Sequence, residues 1–169
     1  MCLYIETKED VHKAEQPIVC YKKVIVKLNP DGSTYLEARY RCFLYKLGHF
    51  YTEKRFEMLK ERLALDSLCE QYEVNYGFHS YVSEEDAKKY DRGLDGYALL
   101  RCEIPANSHY YMGVTFNGAK SYCSKSIRIT GLKLCNKNGI WDSEWMEPGV
   151  MSKPGPLKRL LIRLGIVKI

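Results

Sequence analysis

The chain has 169 residues, 46% of them hydrophobic and 28% charged, which are ordinary values for a single globular domain with a core of its own. Its net charge of +5 belongs to the tail, because Glu147 is the last acid and Lys153, Lys158, Arg159, Arg163 and Lys168 follow it. The rest of the chain is neutral and lacks the basic footprint that direct nucleic-acid binding by the domain would require.

Residues 1–16 read as a polar lead-in with a short apolar start. Ile18 to Leu28, rich in Ile, Val and Tyr, is the first strand, and the turn Asn29-Pro30-Asp31-Gly32 returns the chain through Ser33 to Phe43 as a hairpin. His49 to Tyr51 resumes extended structure. From Glu53 to Glu70 the apolar residues Phe56, Leu59, Leu63, Leu65 and Leu68 fall near a 3.6-residue period, which predicts an amphipathic helix. Tyr72 to Tyr81 reads as a strand interrupted at Gly77. Ser83 then caps a second helix whose first turn holds Glu84, Glu85 and Asp86 and whose later turn holds Lys88 and Lys89. Strands follow at Ala98 to Ile104, His109 to Phe116 and Ser121 to Leu134. Beyond residue 149 a Pro/Gly linker leads to a basic amphipathic tail. The expected fold is α+β: one domain over residues 1–149 with a bent or split, mainly antiparallel sheet and two principal helices, followed by residues 150–169 as linker and tail.

The seven cysteines (Cys2, Cys20, Cys42, Cys69, Cys102, Cys123 and Cys135) form no Cys-x-x-Cys pair and follow no secretory signal, which predicts reduced thiols in the cytoplasm. The histidines His12, His49, His79 and His109 offer no close ligand pair, so no metal is expected. Nor do the residues call for a cofactor. Tyrosine is abundant, with 14 residues, and its ring and hydroxyl suit half-wet surfaces beside a cleft.

His79 sits at a strand end beside Gly77 and ahead of a helix N-terminus. That position suits either a phosphate or ribose contact and acid/base work near neutral pH, or a simple bond to a neighbouring carbonyl. Alternation puts Phe78 and Ser80 on one face, with His79 and Tyr81 on the other. Ser121, Ser124 and Ser126 make a hydroxyl-rich run in which Lys125 and Arg128 could meet phosphates. Cys2, once exposed by methionine removal, raises the separate reading of an N-terminal nucleophile. The tail carries Leu157, Leu160, Leu161 and Leu164 at helical spacing beside its cations. It is too short for stable membrane insertion, and suits packing on its own domain, a homodimer contact or a protein partner through residues 157–169.

The run from Gly77-Phe78-His79-Ser80-Tyr81 through the Ser83 helix into Gly96-Tyr97-Ala98-Leu99-Leu100 resembles the central part of ADP-ribosyltransferase-like domains. The likeness spans residues 18–131. It also resembles small bacterial and phage proteins that open with Met-Cys and carry a Gly-Phe-His segment. The resemblance implies a nicotinamide pocket with Tyr21 and Lys22 on its first strand, where that family presents His or Arg. Residues 119–130 contain no acid, so the carboxylate that would stabilise an oxocarbenium-like transition state is missing from the matching strand. The expectation is therefore binding of a nucleotide or NAD-derived small molecule in a cleft near Tyr21, Lys22, His79, Ser80, Tyr111 and Tyr122. Sequestration by a phage counter-defence protein is one form of this. Turnover is left open: the enzyme alternative is an atypical ADP-ribosyltransferase or related NAD-consuming enzyme using His79 with an acid such as Glu103. A protein-interaction module acting through the basic tail is the third class.

Overall fold

The computed structural model describes residues 3–7, 9–28, 34–38, 43–56, 59–63, 70–89, 97–135 and 139–148. Cys2, the turn at residues 29–32, and the linker and tail, with their proposed partner contact, lie outside the described residues.

Among the described residues thirteen strands join one sheet. They are β1 (Leu3–Ile5), β2 (Val11–Lys13), β3 (Ile18–Leu28), β4 (Thr34–Ala38), β5 (Leu44–Tyr45), β6 (Phe50–Thr52), β7 (Leu59–Leu63), β8 (Glu70–Val74), β9 (Phe78–Tyr81), β10 (Tyr97–Ile104), β11 (His109–Thr115), β12 (Lys120–Ser124) and β13 (Ser126–Leu134). The one helix among the described residues, α1 (Glu84–Lys89), has six residues. The main path runs β6-β13-β10-β3-β9-β12-β11-β1-β8-β7, and every pairing in it is antiparallel.

This overturns the expected α+β class with two principal helices. The periodic stretch from Glu53 to Glu70 contains no helix among its described residues. Leu59–Leu63 and Glu70–Val74 instead form a hairpin in which Leu59 faces Val74 and Leu63 faces Glu70. Helix propensity is worth only tenths of a kcal/mol per residue, and long-range pairing overrides it. Here β8 gains a partner in β1, and its Val74 is wholly buried. The charged Lys60-Glu61-Arg62 run then occupies the outermost strand, where charges discourage further pairing. The lead-in with its short apolar start contributes two strands. β1 and β2 both pair along β11, and Leu3 and Ile5 are core residues.

The second helix was legible in detail, because the Ser83 hydroxyl accepts from the Asp86 amide at 3.0 Å. Three acids precede Lys88 and Lys89 in the order that the helix dipole favours.

One long strand does unusual duty. β12 and β13 are separated by Lys125 alone, yet β12 pairs with β9 and β11 whereas β13 pairs with β10 and β6. β3 pairs with both β9 and β10. The strands β3, β9, β12–β13 and β10 thus close a hydrogen-bonded circuit. Closure requires a break at Lys125, whose amide donates to the His109 carbonyl at 2.9 Å and whose carbonyl accepts from the Glu53 amide at 2.8 Å. The break also shifts the alternation by one residue. Tyr122 faces the main core before it, and Ile127 and Ile129 face that core after it.

Inside the circuit lies the larger core, built on Cys20, Val24, Phe78, Ala98, Leu100, Cys102, Ile104, Ile127, Ile129, Leu132 and Leu134. A smaller core of Leu3, Ile5, Phe56, Val74, Tyr111 and Cys123 lies on the other face of the sheet's far half. On the remaining outer face the segment 141–147 folds back through bridges Leu132↔Met146 and Cys135↔Trp141. There Lys133 sits 4.6 Å from the Trp145 ring centre and Arg101 sits 5.3 Å from it, contacts that hold the segment on the sheet.

Gly113 is required where β1 crosses β11. A Cβ at this position would stand 2.1 Å from the Tyr4 carbonyl oxygen, a backbone atom with no flexible end to move. Gly113→Ala is expected to lower the urea midpoint by an amount equivalent to about 1–3 kcal/mol, the usual cost of overpacking. An unchanged midpoint would show that β1 does not lie against β11 in this register.

Candidate functional site

Alternation along a strand decides which of the expected residues can act together. On β3, Cys20 and Val24 belong to the circuit's interior, and Lys22 between them points the same way. On β9 the interior positions are Phe78 and Ser80; on β12 they are Tyr122 and Ser124. Register then places Leu100, Lys22, Ser80 and Tyr122 in one row across β10, β3, β9 and β12. So the structure gathers Lys22, Ser80 and Tyr122 from the expected set, and adds Ser124.

Tyr21, His79 and Tyr111 face the opposite side of the sheet. Tyr21 lies 6.0 Å from the Trp145 ring, ring centre to ring centre. Tyr111 is buried in the smaller core, 5.2 Å from the Phe56 ring. The imidazole of His79 meets Cys123, with Nε2 3.6 Å from Sγ. Both the carbonyl and the ring of His79 are therefore engaged, on different faces. Glu103 pairs with Val19 in register, whereas His79 lies opposite Lys23, so the two are two strands and four residues apart, on the order of 15 Å along the sheet. That separation does not make an acid/base pair.

Gly77 sets the start of β9. Its φ of 133° is available to glycine alone among ordinary residues, and a Cβ there would stand 2.5 Å from the Cys123 sulfur. The chain can thereby enter β9 pressed against β12, which aligns Ser80 with Tyr122.

Lys22 is the chemically unusual member. Its Nζ donates to the His79 carbonyl at 2.6 Å and lies 5.6 Å from the centre of the Tyr45 ring. Part of the side chain remains open to solvent, but the ammonium sits among protein groups. Burial is the main cause that holds its pKa below lysine's usual value, and the nearby thiols Cys102, Cys123 and Cys20 oppose that shift. Among the described residues no carboxylate neutralises it. Ser80 and Ser124 are fully buried, and neither Oγ makes a hydrogen bond of regular geometry; the contact of Ser80 is with the Cys20 thiol. Burial also pushes Tyr45 well above the usual phenol range and Tyr122 upward, so both keep their hydroxyl protons at neutral pH.

Aromatic rings flank this polar centre on two sides. Phe43, Tyr45, Tyr51 and Phe78 form one group, with Phe43 and Tyr45 4.9 Å apart and Phe43 the exposed member. Tyr110 and Tyr122 meet edge to face at 5.5 Å on the other side. Sequence reasoning took Ser121, Ser124 and Ser126 as one hydroxyl-rich run, whereas the break at Lys125 leaves Ser124 on the interior face with Tyr122. Tyr45 was missed because it lies in a two-residue strand that local pattern cannot register.

The α1 N-terminus is not part of the site. The Ser83 hydroxyl already takes the Asp86 amide, and the Glu84 carboxylate bonds Lys133 at 3.0 Å, so acids occupy the place where an anion would bind.

A lysine with a lowered folded pKa makes stability depend on pH. Between the folded pKa and the unfolded value of 10.5, the unfolded chain binds more protons at Lys22, so stability rises with pH across that window. Below the folded pKa the full cost of holding the charge inside is present. Lys22→Met removes the titrating group. The urea midpoint of the wild type, measured against that of the variant, is expected to climb with pH from the folded pKa of Lys22 up to 10.5. A pH-independent difference would mean that the ammonium is solvated as it would be at the surface.

Among the described residues no helix is long and apolar enough to cross a membrane. No protein-family model, curated protein or solved structure matches the chain.

Proposed function

We propose that the chain binds a small anionic ligand of the nucleotide class, including NAD-derived molecules such as ADP-ribose, with Lys22 as the anion anchor. The observation that carries this reading is the desolvated Lys22 ammonium without a carboxylate partner among the described residues. Holding a cation away from water costs free energy unless a counter-charge compensates it. An ammonium has three donors, and among the described residues one is committed, to the His79 carbonyl. A phosphate oxygen would take the others and restore the charge balance.

Ser80 and Ser124 support the same reading, since each can offer a hydroxyl to a phosphate or ribose oxygen. The rings of Phe43, Tyr45 and Tyr51 supply flat apolar faces for a base or nicotinamide. Tyr122 closes the row beside Ser80. Binding without turnover is the form we favour, because among the described residues no carboxylate stands beside Lys22 to stabilise a developing oxocarbenium. The reading places the protein in the cytoplasm, where nucleotides are abundant and thiols stay reduced.

Thermal unfolding in the presence of NAD, ADP-ribose, and linear and cyclic nucleotides tests this directly. A ligand at a hundredfold excess over its Kd stabilises the native state by about 2.7 kcal/mol, a readily measured rise in Tm. The wild type is expected to show that rise with at least one phosphate-bearing compound, and Lys22→Met and Lys22→Gln to lose it. A flat screen would overturn the proposal, and so would an equal rise in both variants.

A further inference from the structure

Cys20 and Cys102 are direct partners across the β3–β10 ladder. Both are wholly buried, both face the circuit's interior, and their thiols lie close enough to influence each other, while Cys102 Sγ donates to the Leu100 carbonyl at 3.8 Å. Residues directly opposite in an antiparallel pair have Cα atoms about 4.5–5.5 Å apart, within the roughly 4.4–6.8 Å that a disulfide spans. The side chains therefore need only rotate to bring the sulfurs to bonding distance. We propose that Cys20 and Cys102 form a redox-active dithiol, which a peroxide converts to a cross-strand disulfide inside the strand circuit. This proposal does not depend on the ligand assigned to Lys22.

The surroundings give the two sulfurs different parts. Burial raises the Cys20 thiol, but the neighbouring Cys102 and Ser80 side chains and the Lys22 charge outweigh it, and the net shift is downward. Cys102 is pushed well above the usual thiol range by burial and by the neighbouring Cys20 side chain. The Lys22 ammonium lies two residues from Cys20 on β3 and faces the same interior, which favours the thiolate there and makes Cys20 the attacking sulfur and Cys102 the resolving thiol. Cys20 attacks one oxygen of the peroxide, the O–O bond breaks, and the departing hydroxide takes up a proton to leave as water. Cys20 is then a sulfenic acid. Cys102 displaces its hydroxyl, the S–S bond forms, and the Cys102 proton leaves with that hydroxyl as a second water. Two thiols have been oxidised and one peroxide reduced. Hydrogen peroxide is little larger than water, and the partly open Lys22 side chain lies two residues along the same strand.

The other described cysteines are arranged differently. Cys123 faces the smaller core against His79, and Cys135 stands at the end of β13. The ladder gives neither of them a cysteine partner.

The test uses the folded full-length protein, treated with hydrogen peroxide, alkylated, digested and mapped by mass spectrometry. A peptide linking Cys20 to Cys102 is expected, two hydrogen atoms lighter than the sum of its halves and released by dithiothreitol, with Cys123 still alkylated. In Cys102→Ala the linked peptide disappears and Cys20 is captured by dimedone as a sulfenic acid. Should that variant not fold, the wild-type map decides alone. Full alkylation of Cys20 and Cys102 after peroxide would overturn the proposal. So would a disulfide that maps to any other pair.

Discussion

The break at Lys125 is the constraint on which the rest of the molecule depends. A strand that kept its alternation through residues 120–134 would belong to one sheet neighbourhood and turn Ile127 and Ile129 away from the core that Tyr122 faces. A single residue out of phase, with its amide and carbonyl satisfied by His109 and Glu53, lets the chain turn a corner and pair with β9 before the break and with β10 after it. Because β3 lies between β9 and β10, that corner encloses an interior instead of leaving a two-faced sheet. Bulges at corners serve this purpose in curved sheets generally.

Enclosure changes what the residues inside can do. On an open sheet Lys22 would reach water and behave as an ordinary surface cation. Inside the circuit its ammonium lies among protein groups instead of water, and it donates to the His79 carbonyl. The same enclosure brings Cys20 and Cys102 face to face, removes water from Ser80 and Ser124, and lowers the local dielectric so that charge on Lys22 acts on nearby thiols. Proximity of a cation, two thiols and two hydroxyls follows from one topological event.

Several elements were legible before any coordinates. Ile18–Leu28 reads as a strand from its β-branched content, and the structure has a strand of those bounds. Ser83 reads as a cap because its hydroxyl can replace a missing backbone acceptor, a purely local interaction. The alternation Phe78/Ser80 against His79/Tyr81 also held, since it depends only on the geometry of four extended residues. The stretch from Glu53 to Glu70 misled because its leucine and phenylalanine residues among charges fit helical spacing, whereas Leu59–Leu63 is the outer strand of a hairpin whose other strand, β8, pairs with β1 at the chain's beginning. No local signal contains β1.

For the site, residue types were legible and their grouping was not. A sequence reader sees Tyr21, Lys22, His79, Ser80, Tyr111 and Tyr122 as plausible ligand contacts, and adjacent numbers such as Tyr21 and Lys22 look like neighbours in function. The pleat sends them to opposite faces, so Lys22, Ser80 and Tyr122 share an interior that excludes Tyr21, His79 and Tyr111. By itself the sequence determined the strand Ile18–Leu28, the capped helix, a neutral body with a basic tail, and a supply of polar groups at strand ends, because each of these follows from interactions within a few residues. Only the tertiary structure decided the closure at Lys125, the cross-strand pairing of Cys20 with Cys102 and the burial of Lys22. Those depend on hydrogen-bond register between strands distant in sequence, where a shift of one residue reverses every side chain.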